Sequence, residues 1–306
     1  MPTVAALVTD DLESMGTAID GLPLRARRMA PGGGSISLVH VATDSLSLTA
    51  GRFGFPIATE GAVGDDVITV GLPLEDGAGT WNGNDFGSND LWCYGSGSEH
   101  VGSSPDPPAF AVLTLDAGHA DRWSDLEAPM PVLRRGQHRV VRSRAKDRLV
   151  RDIADIVELA RTGVVSTRQA DALEHDLLVT LADVLSAGEV HDQIRRDSAL
   201  WIVREAEART EVLGPMPSAT EIAAGLGVSD RWVRAAFKRI HGVSMSTYFR
   251  SRALHHAHHD LRRAGSGSAT VTDVAMRWGF WHLGRFSNLY RSYFDELPSE
   301  TLARAA

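Results

Sequence analysis

Arginine and asparagine side chains recur on the polar faces of two predicted helices in the last third of this 306-residue sequence. The first helix carries Arg231 and Arg234, and the second carries Arg285, Asn288 and Arg291. A guanidinium fork can bond guanine O6 and N7 together, an asparagine amide can pair with adenine, and an arginine can also grip a phosphate. These residue types therefore indicate a nucleic-acid surface, provided that other elements hold each helix in place.

The segment 218–241 has the steric pattern of a helix-turn-helix. Ser218 and Glu221 form a capping-box sequence, so a helix begins there. A small alanine lets two helices cross closely, a glycine four residues later permits a positive φ in the turn, and apolar residues anchor the second helix to the first. The predicted core of this unit is Ile222, Ala223, Gly227, Val233 and Phe237.

A second copy of the pattern follows about fifty-two residues later, in the segment 270–294. Thr270 and Asp273 take the capping positions, and the turn is one residue longer than in the first copy. The corresponding predicted core is Val274, Ala275, Gly279, Phe286 and Tyr290. One such pattern is common among helical hairpins, whereas two within a hundred residues indicate a pair of DNA-binding units.

The charge distribution supports this assignment. The whole chain has a net charge of −8, which taken alone argues against a phosphate-rich partner. Residues 195–306, however, hold 16 basic and 11 acidic side chains, a net charge of +5, and the remainder of the chain carries −13. The sign asymmetry confines the predicted nucleic-acid surface to the C-terminal part.

The first 140 residues predict short strands separated by turn formers, which is typical of a sandwich or barrel. The strand segments are 35–41, 46–48, 67–72, 90–94 and 109–115, with helices expected near 12–20 and 119–126. From residue 145 the apolar period becomes helical and predicts two amphipathic helices divided by a turn at 163–166. Core packing and a dimer contact are both open for the second face of this hairpin, and a third helix is expected at about 193–213.

Two stretches carry a resemblance to a known family. The segments VTDVAMRWGF at 271–280 and GRFSNLYRSYFDELPSETL at 284–302 closely resemble the C-terminal signature of AraC-type (arabinose-regulator-like) transcription factors. The segment IAAGLGVSDRWVRAAFKRIHGVSMSTYFR at 222–250 is similar to the preceding subdomain of that family. The segment GTWNGNDFGSNDLWCYGSGSEH at 79–100 is similar to the cupin-like sensor domains of such regulators, a less specific match.

The resemblance implies that one long linker helix, matching residues 244–263, joins two helix-turn-helix subdomains whose second helices enter successive major grooves. A helix of about twenty residues spans about 30 Å, close to the roughly 34 Å of one DNA turn. The predicted DNA contacts are Arg231, Trp232, Arg234, Lys238, Arg285, Ser287, Asn288 and Arg291.

Other chemistry is weakly signalled. The histidines at 255, 256, 258 and 259 have helical spacing that could hold a metal, but no cysteine or carboxylate set accompanies them, which favours a polar helix surface. Cys93 is the single cysteine, so no intrachain disulfide can form. We expect no metal, no cofactor and no catalytic residue. Trp81, Trp92 and Tyr94 are candidate ligand contacts, although aromatic residues on strands more often fill a core.

The predicted fold class is α+β: a cupin-like β-sandwich sensor domain at 1–142, a helical hairpin at 143–190 and an all-α DNA-binding domain at 191–306. The predicted function is a cytoplasmic bacterial transcriptional regulator that binds a double-stranded operator, with an effector, RNA polymerase and a second copy as further candidate partners. No long apolar segment predicts a membrane span. A cupin-type enzyme fused to a DNA-binding module, and an effector-independent regulator, are the alternatives.

Overall fold

The computed structural model describes residues 3–9, 12, 24–119, 133, 135–162, 167–191, 198–264 and 269–305. Within these ranges the N-terminal half is built from antiparallel strands and the C-terminal half from helices, so the predicted α+β class is confirmed. No helix in this described part of the chain is both long and apolar enough to cross a bilayer.

Thirteen described strands form two antiparallel sheets. Sheet A has eight strands in the order β1-β3-β4-β11-β6-β9-β12-β13, and sheet B has five in the order β2-β5-β10-β7-β8. The strands are β1 (Thr3–Thr9), β2 (Leu24–Arg28), β3 (Ile36–Ala42), β4 (Leu46–Phe53), β5 (Ile57–Ala62), β6 (Val67–Pro73), β7 (Gly79–Trp81), β8 (Asn84–Phe86), β9 (Asp90–Tyr94), β10 (Glu99–Ser104), β11 (Ala109–Asp116), β12 (His138–Arg142) and β13 (Glu189–His191).

The central strands of sheet A divide their side chains between two environments. On β9, Leu91 and Cys93 belong to a core shared with helices, whereas the intervening Trp92 and the following Tyr94 line a cavity. On β11, Leu113 likewise joins the core while its neighbours line the cavity. This alternation follows from the two-residue period of a strand, which sends successive side chains to opposite faces.

Ten helices are described. They are α1 (Lys146–Arg161), α2 (Thr167–Ser186), α3 (Ser198–Ala208), α4 (Thr210–Leu213), α5 (Ala219–Leu226), α6 (Asp230–His241), α7 (Met245–Arg263), α8 (Val271–Arg277), α9 (Leu283–Phe294) and α10 (Pro298–Ala305). Helices α1 and α2 pack on sheet A, and their Leu149, Ile153, Leu177 and Leu181 are fully buried in its core. One face of the hairpin is therefore used for core packing.

The helical domain packs against sheet B. Met29, Ala58 and Val101, which follow or lie on strands β2, β5 and β10, belong to the same apolar core as residues of α3, α5, α6 and α7. Ser251 Oγ on α7 also donates a 2.6 Å hydrogen bond to the backbone oxygen of Arg28. The first helix-turn-helix and sheet B are consequently held in direct contact.

Several elements differ from the sequence expectations. The strand expected at 46–48 extends to Phe53, because the following residues pair with both β3 and β11. The expected helix at 193–213 is two helices, α3 and α4, and residues 192–197 lie outside the described part. A short 3-10 turn, Ala117–His119, starts where a helix was expected at 119–126; residues 120–126 lie outside the described part, as do all but residue 12 of the helix expected at 12–20.

Candidate DNA-binding surface and ligand cavity

The first helix-turn-helix begins at a complete capping box. Ser218 Oγ accepts a 3.2 Å hydrogen bond from the Glu221 backbone N–H, and the Glu221 carboxylate accepts a 2.8 Å hydrogen bond from the Ser218 backbone N–H. Hydrogen bonds from Ser218 hold the pKa of Glu221 below its ordinary value. The helix ends at Gly227, which has φ 67°, the left-handed conformation that glycine adopts without a steric penalty.

Helix α6 is the second helix of this unit. Ser229 caps it by accepting from the Trp232 backbone N–H at 3.3 Å. Its buried side, which faces the first helix and the domain core, consists of Val233, Ala236, Phe237 and Ile240. The predicted anchors Ile222, Ala223, Val233 and Phe237 are all buried.

The opposite side of α6 is open to solvent. Arg231, Trp232 and Arg234 are exposed, and the Trp232 side chain keeps 56% of its surface accessible. Arg234 lies 3.8 Å from the Asp230 carboxylate, a distance that leaves its guanidinium able to reorient. Lys238 Nζ donates a 2.7 Å hydrogen bond to the Gly242 backbone oxygen at the end of the helix, so this predicted DNA contact has a structural partner.

The second helix-turn-helix repeats the same construction. Thr270 Oγ1 accepts from the Asp273 backbone N–H at 3.1 Å, and the Asp273 carboxylate accepts from the Thr270 backbone N–H at 3.0 Å. Val274 and Ala275 are completely buried, and Gly279 takes φ 80° in the longer turn. The two units therefore share a cap, a buried small residue and a left-handed glycine at matching positions.

Helix α9 buries Phe286, Tyr290 and Tyr293 and leaves a polar strip outside. Arg285, Asn288 and Arg291 are exposed, and Ser287 is half-buried. Trp281, immediately before the helix, has 71% of its surface exposed. Each second helix thus presents arginines and a solvent-exposed tryptophan at its N-terminal end.

Helix α7 connects the two units. Its 19 residues span about 28 Å, and Leu254, Ala257 and Leu261 on its inner side are fully buried. Tyr248 and Phe249 pack into the core of the first unit, whereas Leu254 and Leu261 belong to the core of the second. The helix therefore fixes the position of one unit relative to the other.

A cavity of about 460 Å³ lies in the N-terminal domain. Its wall contains all three predicted ligand contacts, Trp81, Trp92 and Tyr94, together with Phe86 and His100. The Trp81 ring is stacked on Trp92 with centroids 4.7 Å apart, and on His100 with centroids 5.3 Å apart. Burial lowers the pKa of His100 to about 4, so its imidazole is neutral near pH 7.

Comparison with known proteins gives a consistent result. A family model described as a helix-turn-helix domain matches residues 222–304. The probable thc operon regulatory protein of Rhodococcus erythropolis is 34% identical over 150 residues, which is 47% of this chain and 43% of that protein. A solved structure of a probable AraC family transcriptional regulator from Rhodopseudomonas palustris is 38% identical, and it covers 34% of this chain and 96% of its own, with a TM-score of 0.31.

This chain belongs to the AraC family of transcriptional regulators. A further relative, the XylDLEGF operon transcriptional activator 2 of Pseudomonas putida, is 38% identical over 76 residues, 25% of this chain and 48% of that protein. The chain thus spans less than half the length of both curated relatives. The AraC-like transcriptional activator CuxR aligns over 84% of this chain and 96% of its own at 15% identity, with a TM-score of 0.44.

The histidines of α7 in this AraC-family chain differ from the expected polar surface. The His255 ring contacts the Arg28 backbone, and the His258 ring lies 2.6 Å from the Tyr290 hydroxyl and stacks on Phe294. His256 stacks on Trp278 with centroids 4.5 Å apart. Three of the four rings are thus used in packing, and the described residues contain no cluster of three or more His, Cys, Asp or Glu suited to a metal.

Sequence reasoning missed two features of these sites. No sequence pattern singled out His100, which the structure places against Trp81 in the cavity wall. Asn82 and Gly83 have φ 48° and 79° and form the tight turn between β7 and β8. Asn-Gly is a strong hairpin signal, so this pair of strands was detectable from the sequence.

Proposed function

We propose that this chain is a DNA-binding transcriptional regulator whose two second helices, α6 and α9, read neighbouring major grooves of one operator. The observation that supports it most directly is the repeated, fully capped helix-turn-helix with an exposed arginine-bearing face in each copy. The family model and the relatives support the same assignment.

The exposed side chains divide by the contacts that they can make. Arg231 and Arg234 suit guanine O6 and N7, and Asn288 suits adenine. Arg285 and Arg291 suit phosphates, which position the protein without reading sequence. Trp232 offers an apolar surface for a thymine methyl group. Lys238 and Ser287 remain predicted DNA contacts. Ser287 is half-buried, and Lys238 already donates to the Gly242 backbone oxygen.

The proposed activity is regulation by a small molecule that occupies the cavity beside Trp81, Trp92 and Tyr94, and we assign no catalytic residue. The proposed boundaries remain 1–142, 143–190 and 191–306, although α1 and α2 share a core with sheet A. A cytoplasmic location, RNA polymerase and a second copy as partners complete the proposal. Light scattering of the purified chain, with and without operator DNA, measures the assembly directly.

Selection from a random duplex library tests the DNA-binding function. The full chain, incubated with the library at low salt, should enrich a motif with two conserved segments about one helical turn apart. Footprinting of the enriched sequence should show protection of both segments on one face. Absence of any enriched motif, with a protein that gives a folded far-UV spectrum, would contradict the proposal.

A further inference from the structure

We propose that the cavity of the N-terminal domain binds an uncharged, flat aromatic compound that carries hydrogen-bond acceptors. This inference rests on the proposed function, because it names the chemical class of the effector. It is carried by three properties of the cavity wall: its unpartnered donors, its stacked rings and its distribution of charge.

Polar atoms in the wall lack partners. Trp81 Nε1, Trp92 Nε1, the Tyr94 hydroxyl and His100 Nε2 are buried, and none has a hydrogen-bond partner among the described residues. An indole N–H can only donate, and the tyrosine hydroxyl can donate as well. Buried polar groups are normally satisfied, so a ligand that brings acceptors would supply what the protein leaves out.

The same residues favour a flat aromatic body. The planes of Trp81 and Trp92 are inclined by 13°, and those of Trp81 and His100 by 10°. Nearly parallel rings form an aromatic wall, which a further aromatic ring can contact by offset stacking or edge to face. The volume of about 460 Å³ is within the range of roughly 300–1,000 Å³ typical of small-molecule sites.

The charges of the wall disfavour an anion. The described lining residues include no arginine or lysine. Three acidic residues are exposed at this site: Glu75 is paired with Arg52, whose Nη1 donates to its carboxylate at 2.8 Å, and Asp76 and Asp106 add negative charge. A carboxylate ligand would enter past the like charges of Asp76 and Asp106 and would find no cation among these described lining residues. A cationic ligand would be repelled by the partial positive charge on the indole N–H hydrogens. An uncharged ligand avoids both costs.

Three matched compounds test the proposal on the full chain: methyl 2-naphthoate, 2-naphthoate and 2-naphthylmethylammonium. They share a two-ring body and differ in charge. Isothermal titration should show methyl 2-naphthoate binding at least tenfold more tightly than either ion. Tyr94→Phe, which keeps the ring and removes one donor, should weaken that binding about three- to tenfold. Trp201→Phe, on the exposed side of α3, is the matched control and should leave it unchanged.

Equal or tighter binding of either ion, or silence of all three compounds, would overturn the ligand class. Operator enrichment by the same protein preparation separates this result from a failure of the proposed function. If the chain selects no DNA motif, the function fails; if it selects one but does not discriminate the compounds, only the ligand class fails.

A separate observation links the cavity to the DNA-binding domain, and from it we infer that the β7–β8 hairpin transmits the state of the cavity to helix α6. Thr80 and Trp81 are neighbours on β7 and point to opposite faces. Trp81 lines the cavity, whereas Thr80 Oγ1 donates a 2.6 Å hydrogen bond to the Ile240 backbone oxygen in the last turn of α6. Arg239 Nε donates to the Gly83 backbone oxygen at 3.1 Å.

This arrangement couples the two sites through one short element. A ligand that shifts Trp81 must move β7, and β7 is hydrogen-bonded to the C-terminal end of the helix whose N-terminal half carries Arg231 and Arg234. Coupling of this kind needs a ligand that interacts differently with two positions of the hairpin. The inference rests on the proposed function, since its consequence is a change in operator affinity.

Thr80→Val tests the link without any ligand. Removal of the hydroxyl should change the affinity for the selected operator at least threefold, and Thr80→Ser should restore the wild-type value. Thr49→Val removes a buried hydroxyl on β4 that contacts His40 instead, and it should have no effect. If Thr80→Val does not fold, Arg239→Gln removes the second contact. If the folded variants bind the operator with wild-type affinity, the proposed coupling between the hairpin and α6 is wrong. If the wild-type chain itself binds no operator, the proposed DNA-binding function is wrong.

Discussion

Arg27 and Tyr248 join the N-terminal domain to helix α7. Arg27 Nη2 donates a 2.7 Å hydrogen bond to the Tyr248 hydroxyl, and the guanidinium carbon lies 4.9 Å from the ring centroid. Arg27 also pairs with Glu60 at 3.1 Å, and the Tyr248 hydroxyl donates to Glu207. The contact brings together residues 221 positions apart in the sequence and places two acidic side chains near one cation: Glu60 pairs with Arg27 directly, and Glu207 is linked to it through the Tyr248 hydroxyl.

Arg27→Met should destabilise the whole chain, because Glu60 and Glu207 would lose the nearby cation. Burial already raises the pKa of Glu207, which shows that its charge is costly in this position. We expect a loss of about 2–3 kcal/mol, below the roughly 3–5 kcal/mol of a fully buried broken pair, because the Glu60 side chain is one-third exposed. Urea unfolding measures it, and the exposed Arg148→Met serves as control.

Arg234→Ala and Asn288→Ala should each weaken binding to the selected operator. Loss of one bidentate base contact costs about 1–3 kcal/mol, equivalent to a fall in affinity of roughly 5- to 150-fold. The loss should be confined to particular base positions, which competition with operator variants can locate. Both side chains are exposed, so thermal unfolding should change little.

Arg148→Ala provides the matched control for this experiment, because it removes the same charge from α1, outside the helix-turn-helix units. Arg291→Ala should lower affinity for all sequences equally and reduce the salt slope by about one ion. If Arg234→Ala and Asn288→Ala bind the operator as the wild type does at matched salt, α6 and α9 are not the reading helices.

Thr270→Ala should destabilise the second helix-turn-helix by about 1 kcal/mol, since it removes the hydroxyl that accepts from the Asp273 backbone N–H. The pKa of Asp273 is held below its ordinary value by hydrogen bonds from Thr270, so this variant should also let it rise. Thr270→Ser keeps the acceptor and should retain most of the stability. If Thr270→Ala leaves the thermal unfolding midpoint unchanged, the cap does not contribute to the stability of the chain.

Stability should fall as the pH drops below about 6.5. Burial lowers the pKa of His241 and of His255 to about 3, and that of His100 to about 4. Between these values and the unfolded value near 6.5, the unfolded chain binds protons that the folded chain does not, so the free energy of unfolding decreases with falling pH. Urea unfolding at a series of pH values from 7.5 to 4.5 measures how the free energy of unfolding changes with pH.

His241→Gln isolates one of these groups. His241 is 3% exposed, stacks on Tyr248 with centroids 4.1 Å apart and has no hydrogen-bond partner among the described residues. Glutamine carries no titratable proton, so the slope should fall by about one proton in this pH range. His175→Gln, which replaces an exposed histidine on α2, is the comparison. An unaltered slope in His241→Gln would mean that His241 is not neutral in the folded chain.

The helix-turn-helix units were readable from the sequence because their determinants are local. Ser218 and Glu221 are three residues apart, and the conformation of Gly227 follows from its own lack of a Cβ atom. The strands were harder. The segments 57–62 and 99–104 contain glycine, glutamate and serine, and they are strands because they pair with each other and bury residues such as Ala58 and Val101 against helices.

The contact between the domains was outside the reach of local patterns. Arg27 lies in a run of arginines that matches no local motif, and its partner Tyr248 is on a helix in another domain. Strand periodicity predicts that Trp92 and Cys93 lie on opposite faces of the sheet. Which face borders the cavity and which the core depends on where α1 and α2 pack. Tertiary packing, rather than propensity, decided both.

Helix α7 has an unbroken hydrogen-bonded backbone between the two DNA-binding units, and this limits how the recognised sequence can evolve. Insertion of one residue would rotate the second unit by about 100° and advance it by about 1.5 Å, whereas seven residues, nearly two full turns, would restore its facing and shift it by about 10.5 Å, roughly three base pairs. Point substitutions on α6 or α9 can alter which bases are read one at a time. The distance between the two sub-sites can drift only in large, coordinated steps, so it should be the most persistent property of the operators that descendants of this protein recognise.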